Sequence, residues 1–216
     1  KHNGVKILDY PDKNWSLVPF PSQKGEVFNA DNLATVNRHT FIKSPKFLAA
    51  KHAAESRWGE NARDISWRLN IILWASGRAL KIVNEEAVFI ECGTGKGYMA
   101  AAIAQYHNFK SDSPNFYLID NFSADLITHN GVVRPSPASF AYSDNVKEVR
   151  EYFKSYPSIK VVKGSIPRVL NQIPEMPIAF LHVDLNDAKT EDAALRQLQS
   201  RLMPGAIIVF DDYGGF

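Results

Sequence analysis

A single cysteine, Cys92, in 216 residues rules out an internal disulfide, and with it a fold stapled by cross-links. Apolar runs of membrane-spanning length are missing too, and the opening residues do not read as a signal peptide. Charge is nearly balanced: 25 Lys and Arg against 23 Asp and Glu leave a formal net charge of +2. No basic run with interleaved aromatics occurs, so neither nucleic acid nor a membrane is indicated as a partner. Internal repeats and low-complexity tracts are also lacking. What remains is the profile of one domain with an accessory segment, long enough to bury a substantial core, with the cytoplasm as the expected compartment.

What is present concentrates in one stretch. An apolar run, Ala87-Val88-Phe89-Ile90, ends at Glu91, and Cys92-Gly93-Thr94-Gly95-Lys96-Gly97 follows with glycines at alternate positions. Tyr98 to Gln105 then reads as a helix. A strand, a glycine turn and a helix start in succession let a ligand approach the backbone, and the helix start offers unpaired N–H groups to an anion. A phosphate-binding P-loop needs Ser or Thr after its Gly-Lys, but Lys96 is followed by Gly97. The dinucleotide fingerprint needs a third small residue where Tyr98 stands. The observed spacing resembles the first motif of class I S-adenosylmethionine-dependent methyltransferases. A second apolar run, Phe116-Tyr117-Leu118-Ile119, ends at Asp120, placed to accept from both hydroxyls of an adenosine ribose. Cys92, inside the motif and beside an apolar strand, reads as a small buried side chain.

Alternation of strands and helices defines the expected fold. Strands are predicted at 87–91, 115–120, 159–163, 178–184 and 206–211, with helices near 97–107, 143–155, 166–172 and 188–202. That order implies an α/β, doubly wound, mostly parallel sheet with a Rossmann-like arrangement. Before it, Ser44-Pro45 opens a helix over Lys46 to Trp58 that Gly59 stops, and Ile65 to Val83 carries apolar residues at helical spacing. Residues 1–30 read as an extended arm, packed on a neighbouring subunit or capping the site. The division is therefore 1–60 as an accessory arm and helix serving as lid or oligomer contact, and 61–216 as the ligand-binding domain. Residues 121–142 form a long loop with Pro135 and Pro137, placed as a lid.

In such sheets ligands bind beyond the carboxyl ends of the strands, where Glu91, Asp120, Asp184, Asp211 and Asp212 all fall. If the last two strands are neighbours, Asp184, Asp211 and Asp212 converge, and three unpaired carboxylates call for a cation. An oxygen-ligated divalent ion such as Mg²⁺ answers that need.

The C-terminal part, from about residue 65 to 216, resembles the macrocin O-methyltransferase family. The resemblance rests on Glu91-Cys92-Gly93, Leu118-Ile119-Asp120-Asn121-Phe122, Val162-Lys163-Gly164-Ser165, His182-Val183-Asp184-Leu185-Asn186, Leu202-Met203-Pro204-Gly205 and Phe210-Asp211-Asp212-Tyr213-Gly214. It implies S-adenosyl-L-methionine as cofactor, and Mg²⁺ held by Asp184, Asp211 and Asp212. It also implies transfer to a hydroxyl of a small molecule such as a sugar. The cofactor contacts implied are Glu91, Cys92, Gly93, Thr94, Gly95, Gly97 and Tyr98 in the first motif, Asp120, Asn121 and Phe122 after the second strand, and Gly164, Ser165 and Asp184 beyond. Two positions depart from the family pattern: Asn186 stands where a second Asp is usual, and Ala188 where an aromatic is common. Class I enzymes add an antiparallel hairpin after the fifth strand, and residues 1–216 are expected to lack it.

Two groups are candidates for the base that takes the acceptor's proton: Asp184, and His129 in the long loop. His182 shares a strand face with Asp184 by period two and reads as a hydrogen-bonded core residue. Rival readings are a catechol-type methyltransferase acting on an aromatic diol, a nicotinamide-dependent oxidoreductase, against which Tyr98 argues, and a non-catalytic nucleoside binder. A homo-oligomer is an expectation that the N-terminal arm suggests.

Overall fold

The computed structural model describes residues 28–30, 33–35, 39–59, 62, 64–84, 86–123, 127–129, 132–134 and 145–211. Five parallel strands form its sheet: β3 (Val88–Cys92), β4 (Phe116–Asp120), β7 (Ile159–Lys163), β8 (Ile178–Val183) and β9 (Leu202–Phe210), in the order β7-β4-β3-β8-β9. Two short antiparallel pairs lie outside it, β1 (Phe28–Ala30) with β2 (Leu33–Thr35) and β5 (Ile127–His129) with β6 (Val132–Arg134). The helices are α1 (Pro45–Trp58), α2 (Ser66–Ala79), α3 (Tyr98–His107), α4 (Val146–Phe153) and α5 (Ala188–Leu198).

Both sheet faces are covered, which explains why β3 and β8 are apolar almost throughout and buried at every position. Alternation sorts the side chains. Phe89, Phe116 and Phe180 point to the face covered by α1 to α4, with Phe89 at 5.9 and 5.1 Å from the other two ring centroids. Val88, Ile90 and Cys92 point to the opposite face, where Val169, Leu170, Ala194 and Leu198 meet them. Helix α3 is apolar all round because it lies between the sheet and α1, and its alanines at 100–102 and 104, all fully buried, let both neighbours come close.

Local signals set the helix ends. Pro45 begins α1 and Gly59, at φ +67°, ends it, while Phe47, Ala50, Ala54 and Arg57 supply the buried stripe. Asp64, two residues before α2 begins, accepts from the Ser66 backbone N–H at 3.1 Å. Four expected bounds are corrected. Helix α2 stops at Ala79, after which residues 80–83 close tight turns back onto Ser76, Arg78 and Ala79. The helix expected at 166–172 is a 3₁₀ turn over Arg168–Gln172, squeezed between Pro167 and Pro174. Strand β9 begins at Leu202, not 206, and α5 ends at Leu198. Pro204 and Gly205 fit inside β9 because this strand is at the sheet edge and its register shifts there. The loop 121–142 contains the β5–β6 pair; of the arm expected at 1–30, residues 1–27 lie outside the described residues, as do 124–126, 130–131 and 135–142 of the loop.

His107, at the end of α3, ties that helix to α2. Its Nε2 donates to the Leu73 carbonyl at 3.2 Å and lies 3.0 Å from Ser76 Oγ. Burial pulls its pKa down from 6.5 to about 4, against the backbone bond that favours protonation. Between those values the unfolded chain binds the proton that the folded one refuses, so stability rises with pH across that window and falls on acidification. His107→Asn is expected to flatten that part of the stability–pH curve, measured by urea unfolding at intervals from pH 4 to 7; an unchanged slope would remove His107 as its source.

Candidate functional site

Strand β3 is central, β4 and β7 lie on one side of it and β8 and β9 on the other, so the order in which the parallel strands are added reverses between β3 and β8. A crevice opens beyond the carboxyl ends of strands at such a point. Register places Glu91 beside His182 and Cys92 beside Val183, and the Asp184 N–H donates to the Cys92 carbonyl at 2.8 Å. The turn after β3 therefore lies directly against the turn after β8. A Cβ on Gly93 would come 1.7 Å from the Asp184 carbonyl oxygen, so only glycine fits there. At Gly95, φ +53°, a Cβ would meet nothing within 4 Å, so this part of the loop faces open space.

Asp120 fastens the loop to β4. Its Oδ2 accepts from the Gly95 N–H at 2.8 Å and its Oδ1 from the Phe122 N–H at 2.7 Å. Burial raises its pKa, although the N–H groups of Gly95, Phe122 and Asn121 pull the other way. On the far side, Arg57 is 8% exposed and donates from Nε to the Lys96 carbonyl and from Nη2 to Glu148 Oε1, both at 3.0 Å. Its guanidinium also sits 4.2 Å over the Tyr152 ring. Phe153 packs so closely on Gly97 that a Cβ there would lie 2.6 Å from its ring. Sequence reasoning missed these supports from α1 and α4. An arginine on the apolar stripe of α1, spaced with Phe47, Ala50 and Ala54, was the available signal.

Helix α3 starts at the end of this loop with Gly97 in a left-handed conformation and no side chain capping it. Thr94 Oγ1 and Tyr98 Oη are buried without a hydrogen-bond partner among the described residues. Tyr98 packs edge-on against Trp58, and burial raises the pKa of its phenol. Cys92 points away into the core, where burial pushes its thiol up to about 12; it offers a ligand only its backbone. Phe122 is buried at φ +48°, and Asn121 and Ser165 are exposed. Gly164 closes the next turn, donating its N–H to the Asp120 carbonyl at 2.8 Å, with Val169 filling the space of a Cβ.

The acids at the ends of β3, β8 and β9 form a second group beside the glycine turn. Glu91 is 2% exposed; its Oε1 accepts from His182 Nδ1 at 2.9 Å, and its Oε2 has no partner among the described residues. Burial lowers the His182 pKa, but the Glu91 hydrogen bond and the charges of Glu91, Asp184 and Asp211 outweigh it and raise the pKa overall. Asp211 Oδ2 accepts from Arg68 Nη1 of α2 at 2.6 Å, an ion pair that sequence reasoning did not foresee. Ligand atoms of His182, Asp184 and Asp211 all lie within 4.8 Å of one another. Asp212 lies outside the described residues, as do Tyr213 and Gly214, and His129 is placed as the last residue of β5 with its side chain outside the description. Asn186 turns the chain at φ +54°, and Asp187 caps α5 by accepting from the Thr190 N–H at 3.1 Å.

A turn open at Gly95, a bare helix start, the unpartnered Glu91 Oε2 and a strand-end aspartate at β4 suit a ligand carrying an amino acid at one end and a ribose at the other. The sheet order and this edge define a class I S-adenosylmethionine-dependent methyltransferase. The chain belongs to the methyltransferase domain family, whose model matches residues 90–213. Among solved structures it is similar to the O-methyltransferase NovP, at 15% identity over 77% of this chain and 82% of that one, with a TM-score of 0.57. It is similar also to CalS11, a calicheamicin methyltransferase, at 18% identity over 78% and 79% with a TM-score of 0.53. These likenesses establish the fold. No curated protein sequence matches. Among the described residues no helix is long and apolar enough to cross a membrane.

Proposed function

We propose that the protein is a metal-dependent O-methyltransferase that methylates a hydroxyl of a small molecule, a sugar or a natural product. The observation that carries this reading is the placement of the Asp184, Asp211 and His182 ligand atoms within 4.8 Å of one another, at the strand ends next to the glycine turn. A protein that only bound the nucleoside would have no use for that second group. The likeness of the fold to the O-methyltransferase NovP supports oxygen as the acceptor.

When bound, adenosylmethionine supplies an activated methyl group and a divalent ion supplies positive charge against the acceptor oxygen. This chain's residues do the rest. Asp120 receives the ribose hydroxyls through the remaining lone pairs of its two oxygens. Glu91 Oε2 accepts from the methionine ammonium, and the start of α3 faces the methionine carboxylate. Gly164 and Ser165 would lie beside the adenine. Asp184, Asp211 and Asp212 would hold the ion, which would supply charge to the acceptor oxygen. Asp184 or His129 would take the hydroxyl proton as the acceptor oxygen gains the methyl group.

The test has two steps. Adenosylhomocysteine, read by calorimetry, is expected to bind the protein while NADH does not. Asp120→Ala is expected to weaken that binding by about 1–3 kcal/mol, the cost of losing a charged hydrogen-bond acceptor. An acceptor screen of sugars, glycosides and aromatic diols, run with and without chelator, then reads transfer itself. Unchanged affinity in the Asp120 variant would remove this residue from the ribose. Transfer untouched by the chelator would remove the ion from the mechanism.

A further inference from the structure

We infer that His182 is itself a metal ligand, through Nε2, and that this centre takes a first-row transition dication in preference to Mg²⁺. The inference rests on the reading above that Asp184 and Asp211 hold a cation. It adds a nitrogen to that ligand set and changes the class of ion.

The two ring nitrogens of His182 have different surroundings. Nδ1 is committed, since it lies 2.9 Å from Glu91 Oε1, an acceptor that compels this nitrogen to carry the hydrogen. Nε2 is buried without a partner among the described residues, in a residue that is 1% exposed. A histidine serving only the core would have both nitrogens satisfied. The cost of the unmade bond has an explanation next to it, because a His182 ring nitrogen lies within 4.8 Å of carboxylate oxygens of Asp184 and Asp211. A carboxylate that fixes one imidazole nitrogen while the other faces the ion is the usual outer arrangement of a histidine-ligated metal, and Glu91 occupies that outer position here. Arg68 orients the other side, holding Asp211 through Oδ2 at 2.6 Å.

The chemistry of the donor set decides the ion. Mg²⁺, Ca²⁺ and Mn²⁺ favour oxygen ligands, whereas an imidazole nitrogen favours the later first-row dications, from iron and cobalt to nickel and zinc. The carboxylates of Asp184 and Asp211 with one imidazole leave positions for Asp212, water or acceptor oxygens, so the centre can serve the reaction proposed above with a different ion.

The experiment uses the full chain stripped with chelator and saturated with adenosylhomocysteine, whose binding reports an intact cofactor site. Co²⁺, Mn²⁺ and Mg²⁺ are titrated separately by calorimetry, and the Mn²⁺-loaded protein is examined by pulsed EPR for coupling to nitrogen. The wild type is expected to bind Co²⁺ at least tenfold more tightly than Mg²⁺ and to show imidazole nitrogen coupling. His182→Gln is expected to lose that coupling and to weaken Co²⁺ by about tenfold or more while leaving Mg²⁺ within about threefold, since both carboxylates remain. The wild-type EPR spectrum needs no variant, so the test survives a His182→Gln protein that does not fold. Mg²⁺ binding without nitrogen coupling to Mn²⁺ overturns the inference and leaves the metal-dependent reading intact. Failure of every ion to bind overturns both, while adenosylhomocysteine binding still reports a methyltransferase fold with a working cofactor site.

Discussion

Gly93→Ala is expected to cost more than about 4 kcal/mol of stability, or to prevent folding, whereas Gly95→Ala two positions on is expected to fold and to lose cofactor. The two glycines look alike in the motif and do opposite work. A Cβ at Gly93 would lie 1.7 Å from the Asp184 carbonyl oxygen and 2.6 Å from its carbon. These are backbone atoms, held by the bond from the Asp184 N–H to the Cys92 carbonyl, so no rotamer change can yield. Relief would require β3 and β8 to part at the centre of the sheet, where every side chain of both strands is buried. At Gly95 nothing stands within 4 Å, and the only structural cost of alanine is its left-handed backbone, roughly 1–2 kcal/mol. The added methyl would occupy the open side of the turn, where the proposed ligand approaches. Affinity for adenosylhomocysteine is therefore expected to fall tenfold or more, about 1.4 kcal/mol. Urea unfolding and calorimetry on the two variants separate these effects. A stable Gly93→Ala protein would contradict the packing described here, and undiminished binding by Gly95→Ala would move the ligand off the turn.

The same contrast shows what could be read in the amino-acid order and what could not. The glycine turn, the helix behind it and the acids at strand ends are local signals, each contained in a few consecutive residues, and the structure places Glu91, Asp120, Asp184 and Asp211 along one edge. Partners contributed by distant elements were beyond reach. His182 meets Glu91 across 91 residues, and Arg68 meets Asp211 across 143, because strand order brings them together. The identity of His182 invited the reading of a satisfied core residue, and only the satisfied Nδ1 beside a bare Nε2 shows that half of that reading is missing. Boundaries failed where two rules competed. Pro204-Gly205 reads as a turn before a strand, yet an edge strand with a register shift absorbs both residues. Residues 166–172 read as a helix between two strands, but the flanking Pro167 and Pro174 leave room only for a 3₁₀ turn.

Asp184→Asn and Asp211→Asn are each expected to lower turnover by about a thousandfold, near 4 kcal/mol in the barrier, while adenosylhomocysteine affinity stays within about threefold. The amide keeps the volume and the hydrogen-bonding reach of the acid and removes its charge, so the loss reports the anion and not the packing. For Asp211 a purely structural alternative exists, since its carboxylate is also the partner of Arg68 at 2.6 Å. Arg68→Met decides between the two roles. If Asp211 matters only as one half of that pair, breaking the pair from the other side should cost as much activity as removing the carboxylate. If Asp211 holds a cation, Arg68→Met leaves the ligand in place and relaxes only its orientation, so the expected loss is no more than about tenfold. The Arg68 side chain is 30% exposed and that of Asp211 12%, so the folded fraction of the Arg68→Met protein is measured beside its activity. Equal losses in the Arg68→Met and Asp211→Asn proteins, at equal folded fraction and equal adenosylhomocysteine affinity, would reduce Asp211 to a structural anchor for α2 and leave Asp184 to carry the chemistry of this edge.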